Sequence, residues 1–165
     1  MKKLQVKDLT IEGFNKYGAF ARMIDPDWPK IGREPIEFFR DMVPLDLGGG
    51  TPVFSVCRVT RRPPVIDLTE FHSRCGEGIL PLDADIVMHV GIATPAGEAP
   101  LDEIEAFRVP KGTFVALRAG VWHHAPFVCD GEAANVLIVL PERTYANDCT
   151  VVEIPEQRRL EIVGL

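Results

Sequence analysis

The sequence predicts an all-β fold, a closed barrel or double-sheet structure with one short helix near its N-terminus. Short apolar or alternating runs of strand length fill the chain from Pro52 onward, and turn signals separate them. No long amphipathic helix competes. So many short strands would leave exposed edges unless the sheets close on themselves or pack face to face.

The 165 residues suit one domain, read as residues 1–165. Apolar residues make up 46% and charged residues 25%, a globular balance. In chain order, Thr10-Ile11-Glu12-Gly13-Phe14-Asn15-Lys16-Tyr17-Gly18 predicts a short helix acting as a lid or plug. Thr10 would be its N-cap, Phe14 and Tyr17 its packed face, and Gly18 its terminator. Residues 25–35 carry three prolines and read as an ordered loop, and Gly48-Gly49-Gly50 as a turn. Strands are expected over residues 52–59, 65–71, 79–82, 86–93, 104–109, 113–117, 123–129, 136–140 and 150–154. Turns between them include Pro95-Ala96-Gly97 and Ala119-Gly120.

The net charge of −6 and the absence of a basic stripe argue against nucleic acid or an anionic membrane as partner. No apolar run approaches the roughly 20 residues of a membrane span, and the N-terminus lacks a signal-peptide apolar core, so a cytoplasmic location is expected. Cys57, Cys75, Cys129 and Cys149 lie far apart with no CxxC spacing and read as reduced, mostly buried thiols.

The four histidines are His72, His89, His123 and His124. Side chains alternate along a strand, so His123 and His124 are expected on opposite faces, with His89 and His124 as packed residues. Gly120-Val121-Trp122-His123 resembles the second cupin motif, in which a glycine turn swings a histidine into a barrel. Glu70-Phe71-His72 followed by Glu77 resembles a degenerate first cupin motif, with Glu70 where a histidine is common. Residues i and i+2 of a strand share a face, so Glu70 and His72 should point into one interior. His72, Glu77 and His123, with Glu70 as a weaker fourth member, are suited to a divalent metal. The same residues without metal suit proton exchange with a substrate. Arg58 is a charge in an apolar strand: facing inward it would clamp a substrate carboxylate, facing outward it would be solvated.

Together these segments resemble the ureidoglycolate lyase family over nearly the whole chain. The matching pieces are Phe14-Asn15-Lys16-Tyr17-Gly18, the Arg58 strand, Glu70-Phe71-His72 and Pro81. Val121-Trp122-His123-His124, Asn147-Asp148-Cys149 and Ile154-Pro155-Glu156-Gln157 complete them. The resemblance implies a cupin-like β-barrel (double-stranded β-helix), a homodimer, and cleavage of ureidoglycolate to glyoxylate and urea in allantoin breakdown. Gly76-Glu77 departs from the family's usual Thr-Gln pair, and Leu117 replaces a common aromatic residue.

On that reading Glu77 or His123 is the base, the other or His72 the acid, Arg58 the carboxylate clamp and Trp122 a substrate contact. The alternatives are a metal-dependent cupin isomerase or epimerase of a sugar or hydroxy acid, and a non-catalytic small-ligand sensor.

Overall fold

The computed structural model describes residues 1–95 and 97–165. Ala96, within the expected turn Pro95-Ala96-Gly97, lies outside the described residues. The chain begins β1 (Lys2–Asp8), α1 (Ile11–Phe14), β2 (Gly18–Arg22), β3 (Lys30–Arg33), β4 (Ile36–Phe39) and β5 (Pro52–Thr60). It continues β6 (Val65–Ile66), β7 (Leu68–Phe71), β8 (Glu77–Pro81), β9 (Ile86–Val90), β10 (Glu105–Val109) and β11 (Thr113–Leu117). It ends β12 (Phe127–Val128), β13 (Ala133–Pro141), α2 (Thr144–Asn147), β14 (Thr150–Glu153) and β15 (Leu160–Val163). The fold is mostly β, with two large sheets enclosing a core, as the sequence predicts.

Among the described residues the larger sheets run β12-β9-β10-β1-β15-β6 and β2-β11-β8-β13-β5, with β14–β7 and β3–β4 as separate pairs. The core between the large sheets joins Ile86, Met88 and Val90 to Val115, Leu117, Val136 and Ile138. Alternate residues of the first sheet, Val87 and Ala106, turn to a second apolar cluster with Leu4, Phe127 and Ile162. β9 is therefore buried on both faces, which is why its sequence is an unbroken apolar run around His89. Each of these large side chains contributes about 1.5–3 kcal/mol through burial.

The N-terminal plug forms as expected. Thr10 Oγ1 accepts a hydrogen bond from the Gly13 amide at 3.1 Å, and Phe14 and Tyr17 pack their rings 5.2 and 6.0 Å from Phe107. Gly18, expected to stop the helix, instead opens β2 against β11.

Other expectations need correction. The loop read over residues 25–35 contains β3, the first arm of an exposed hairpin with β4. β1 and β15 went unforeseen because Lys2–Asp8 buries only Leu4 fully among charged neighbours, and Leu160–Val163 is four residues long. The strand expected over residues 123–129 is regular only at Phe127–Val128. Upstream, the chain makes single bridges, Trp122 to Gly91 and His123 to Glu70.

Candidate active site

Two glycines build the site. At Gly76 a Cβ would lie 2.3 Å from the Leu117 carbonyl oxygen, so only glycine permits the close approach that starts β8 and turns Glu77 inward. Gly120, at φ +81°, makes the tight turn before His123 and donates its amide to the His72 carbonyl at 2.7 Å. His123 and Glu70 then exchange backbone hydrogen bonds of 2.8 and 2.6 Å. Directly opposed residues point to the same face, so both side chains enter the same space.

Glu77 Oε2 lies 3.0 Å from His72 Nε2 and 2.9 Å from His123 Nε2, and all three residues are buried. The other ring nitrogens are already committed. His72 Nδ1 donates to the Asp148 carbonyl at 2.7 Å, and His123 Nδ1 donates to the Val121 carbonyl at 2.8 Å. A carbonyl can only accept, so each Nδ1 carries a proton. Each Nε2 therefore presents to the carboxylate either a second proton or a bare lone pair.

Burial would raise the Glu77 carboxyl, but the charge of His123 and the hydrogen bonds from both imidazoles outweigh it and hold its pKa at about 2. Burial likewise lowers His123, while the charge and hydrogen bond of Glu77 win and raise it. Ligand atoms of Glu70, His72 and His123 lie within 4.8 Å of one another, a spacing a metal ion could bridge. Donation of the second ring nitrogen to a backbone carbonyl is the habit of metal-ligating histidines, so the donor set fits a first-row divalent cation.

Beside this group is a cavity of about 160 Å³ lined by Glu70, Glu77, His123, His124, Cys57 and Tyr145, with Ile79 and Ile138 as apolar wall. No lysine or arginine occurs among the described residues lining it. Tyr145 stands at the rim, 63% exposed, its ring perpendicular to that of His72 at 6.1 Å. Its partly buried position, then the charges of Glu77 and Glu70, push the phenol pKa up, so the hydroxyl stays protonated.

The sequence profile of ureidoglycolate lyase matches residues 1–161. This chain belongs to the ureidoglycolate lyase family. No curated protein matches the sequence. Structural comparison aligns it with the Bacillus subtilis oxalate decarboxylase, in a structure from a study of that enzyme's Mn(II) centres, at 15% identity and a TM-score of 0.44. A mutant of the same decarboxylase aligns at 15% identity and a TM-score of 0.43. Each alignment covers 66% of this chain and 27% of the other, so the chain spans about a quarter of the length of those proteins.

In this ureidoglycolate lyase family member, His72, Glu77, His123 and Glu70 gather as the sequence predicts. Arg58 does not join them. Its neighbour Cys57 lines the cavity, and strand alternation turns Arg58 to the opposite, exposed face of β5, paired in register with Asn135. Trp122 is also displaced: fully buried, it packs against Phe71 with ring centroids 4.6 Å apart at a tilt of 54° and donates its indole N–H to Thr94 Oγ1, away from the cavity. His124, expected to face away from His123, lines the same cavity because the chain there is not a regular strand. His89 is the packed interior histidine expected of it, 3.2 Å from Thr69 Oγ1. Tyr145 escaped sequence reasoning, since a single exposed tyrosine in a four-residue helix carries no local signal of its role. The four cysteines are free, as expected.

Proposed function

We propose that the chain is a ureidoglycolate lyase-like enzyme, a carbon–nitrogen lyase of the amidine-lyase type that releases urea and glyoxylate. The observation that carries this reading is the Glu77 carboxylate seated between two histidine Nε2 atoms at the wall of a small cavity. Ureidoglycolate is a carbinolamide, so cleavage needs the hydroxyl proton removed while the departing urea nitrogen is protonated. In the metal-free site, Glu77 accepts the first proton, and an Nε2–H of His123 supplies the second. Net chemistry moves one proton from oxygen to nitrogen as the C–N bond breaks and the C=O bond forms. Purified protein incubated with ureidoglycolate should release urea and glyoxylate in equal amounts. Urea without turnover above the uncatalysed rate would remove the reading. A binding signal without products would favour the sensor, and an epimerised substrate the isomerase.

We further infer a divalent metal at His72, Glu77 and His123, with Glu70 beside them. Glu70 and Glu77 line a cavity whose described wall holds no lysine or arginine, so a carboxylate-bearing substrate meets no fixed cation there beyond a protonated His123. A divalent cation held by these residues would supply that fixed positive charge. When bound, such an ion polarises the hydroxyl and carboxylate oxygens of the substrate. With the imidazoles so occupied, the protonated hydroxyl of Tyr145 at the cavity rim would be the group to protonate the leaving nitrogen. Elemental analysis of protein purified without chelators should find about one divalent metal per chain, and a metal-free, fully active preparation would overturn this part of the reading.

The corresponding partners are a small carboxylate-bearing substrate and a second copy of the chain, with no nucleic acid or membrane. Val56, Leu137 and Leu80 align in register on the outward face of β5, β13 and β8, with Phe54 exposed beside them, a surface a second copy would cover. Light scattering should return a dimer of the 18.3 kDa chain, and only monomer would count against it. No helix is long and apolar enough to cross a membrane among the described residues. A cytoplasmic role in allantoin catabolism fits the family.

A further inference from the structure

Asn147-Asp148-Cys149 stands out in the sequence, yet none of its side chains lines the cavity. Its role is visible one layer out. The Asp148 carboxylate accepts hydrogen bonds from the Ser73 amide at 2.9 Å, the Ser73 hydroxyl at 2.6 Å and the Arg74 amide at 2.8 Å. The Cys75 thiol lies 3.7 Å from the same carboxylate. The Asp148 backbone carbonyl receives His72 Nδ1–H. One residue thus clamps the turn that follows His72 and supplies the acceptor that fixes which nitrogen of that imidazole faces Glu77. Asp148 is itself tied back to α2, its amide donating to the Thr144 carbonyl at 2.7 Å.

We infer that Asp148 is the positioning residue of the site, holding His72 with its Nδ1–H on the Asp148 carbonyl and its Nε2 directed at Glu77. The mechanism is geometric. Loss of the carboxylate frees three donors of the 73–74 turn, the turn moves away from residue 148, and the distance from His72 Nδ1 to the Asp148 carbonyl lengthens. The imidazole then loses its fixed Nδ1–H contact and its orientation towards Glu77. The inference rests on the proposed function only where it concerns rate, because the state of Nδ1 can be read without substrate.

The test uses the full chain with His72 observed by nitrogen-15 NMR in metal-free protein, alongside urea release and manganese binding. Wild-type protein should give His72 shifts characteristic of a protonated Nδ1. Asp148→Ala should shift both ring nitrogens and weaken manganese binding and turnover about 10- to 100-fold, the range for lost outer-shell partners. Asp148→Asn keeps one acceptor oxygen and should fall between the two, and Ser73→Ala, which removes the hydroxyl donor and leaves the amides of residues 73 and 74 on Asp148, should be milder still. If Asp148→Ala does not fold, the graded Asn and Ser73 variants carry the test. Unchanged His72 shifts in folded Asp148 variants would overturn the inference whatever their activity. Altered shifts in a protein that never cleaves ureidoglycolate would uphold it and sink the lyase reading alone.

Discussion

His123 and His89 are both fully buried, and they are connected through one residue. Thr69 Oγ1 donates to the His123 carbonyl at 3.3 Å and lies 3.2 Å from His89 Nε2. Their electrostatics are nevertheless opposite. His123 faces Glu77, and that charge outweighs burial and raises its pKa. His89 has no carboxylate partner; burial, then the nearby His124 and His123, push it down to about 3, and its Nδ1 finds no hydrogen-bond partner among the described residues. Burial alone makes a histidine neutral. One carboxylate at hydrogen-bond distance reverses the sign, and this separates the charged cluster at the cavity from the apolar layer behind it.

The largest expected effect lies on the charged side of that comparison. His123→Ala and Glu77→Ala should each lower urea release by about 100- to 10,000-fold, as loss of a proton-transfer group does, while far-UV circular dichroism stays β-dominated. Wild-type rates in both variants would reduce His123 to a second His89. A finer cut is Glu77→Gln, which restores the family's usual amide at nearly constant volume. Its amide can donate to a bare Nε2 but accepts no proton, so bound metal should disappear and the rate fall with it, by about 100-fold or more. Retention of both metal and rate would show that the Glu77 charge is not what distinguishes this site.

On the apolar side the expected signature is in stability rather than rate. The folded-state pKa of His89 lies below its unfolded value of 6.5, so the unfolded chain binds the extra proton. Stability due to neutral His89 is complete above pH 6.5 and is lost as pH falls towards about 3. Between pH 6.5 and 5 that amounts to about 2 kcal/mol. Urea denaturation of His89→Gln should show a shallower loss over this interval than wild type, and parallel curves would mean His89 titrates normally. His123, raised instead, stabilises below pH 6.5 and loses that contribution as pH rises through its folded-state value. The smallest effect is expected at Arg58→Ala: exposed and on the far face of β5, it should change KM by less than about two-fold, and a large rise in KM would return the carboxylate clamp to this residue.

Much of this was legible before any coordinates. The strand over Thr113–Leu117 matches its expected bounds, and Pro52–Thr60 and Thr150–Glu153 lie within a residue of theirs, because period-2 patterning and glycine or proline turns are local signals. The convergence of Glu70 and His72 was readable from i, i+2 spacing, that of His123 from the Gly120 turn, and that of Glu77 only from the resemblance to the first cupin motif. What was not legible has a common cause. Whether Arg58 faces the cavity depends on the register of β5 against β13; whether His124 does depends on an interrupted strand; and Tyr145 and Asp148 reach His72 across more than 70 residues.

By itself the sequence determined the all-β class, the N-terminal plug, the family and the residue types that meet at the site, since these follow from local periodicity, turn chemistry and recurring motifs. Only the tertiary structure decided which nitrogen of each histidine is committed, which neighbour of Cys57 is excluded from the cavity, and which of two buried histidines meets a charge. Those outcomes hinge on distances of about 3 Å between groups far apart in the chain, and hydrogen bonds weaken steeply beyond that range. No periodicity along the chain encodes them.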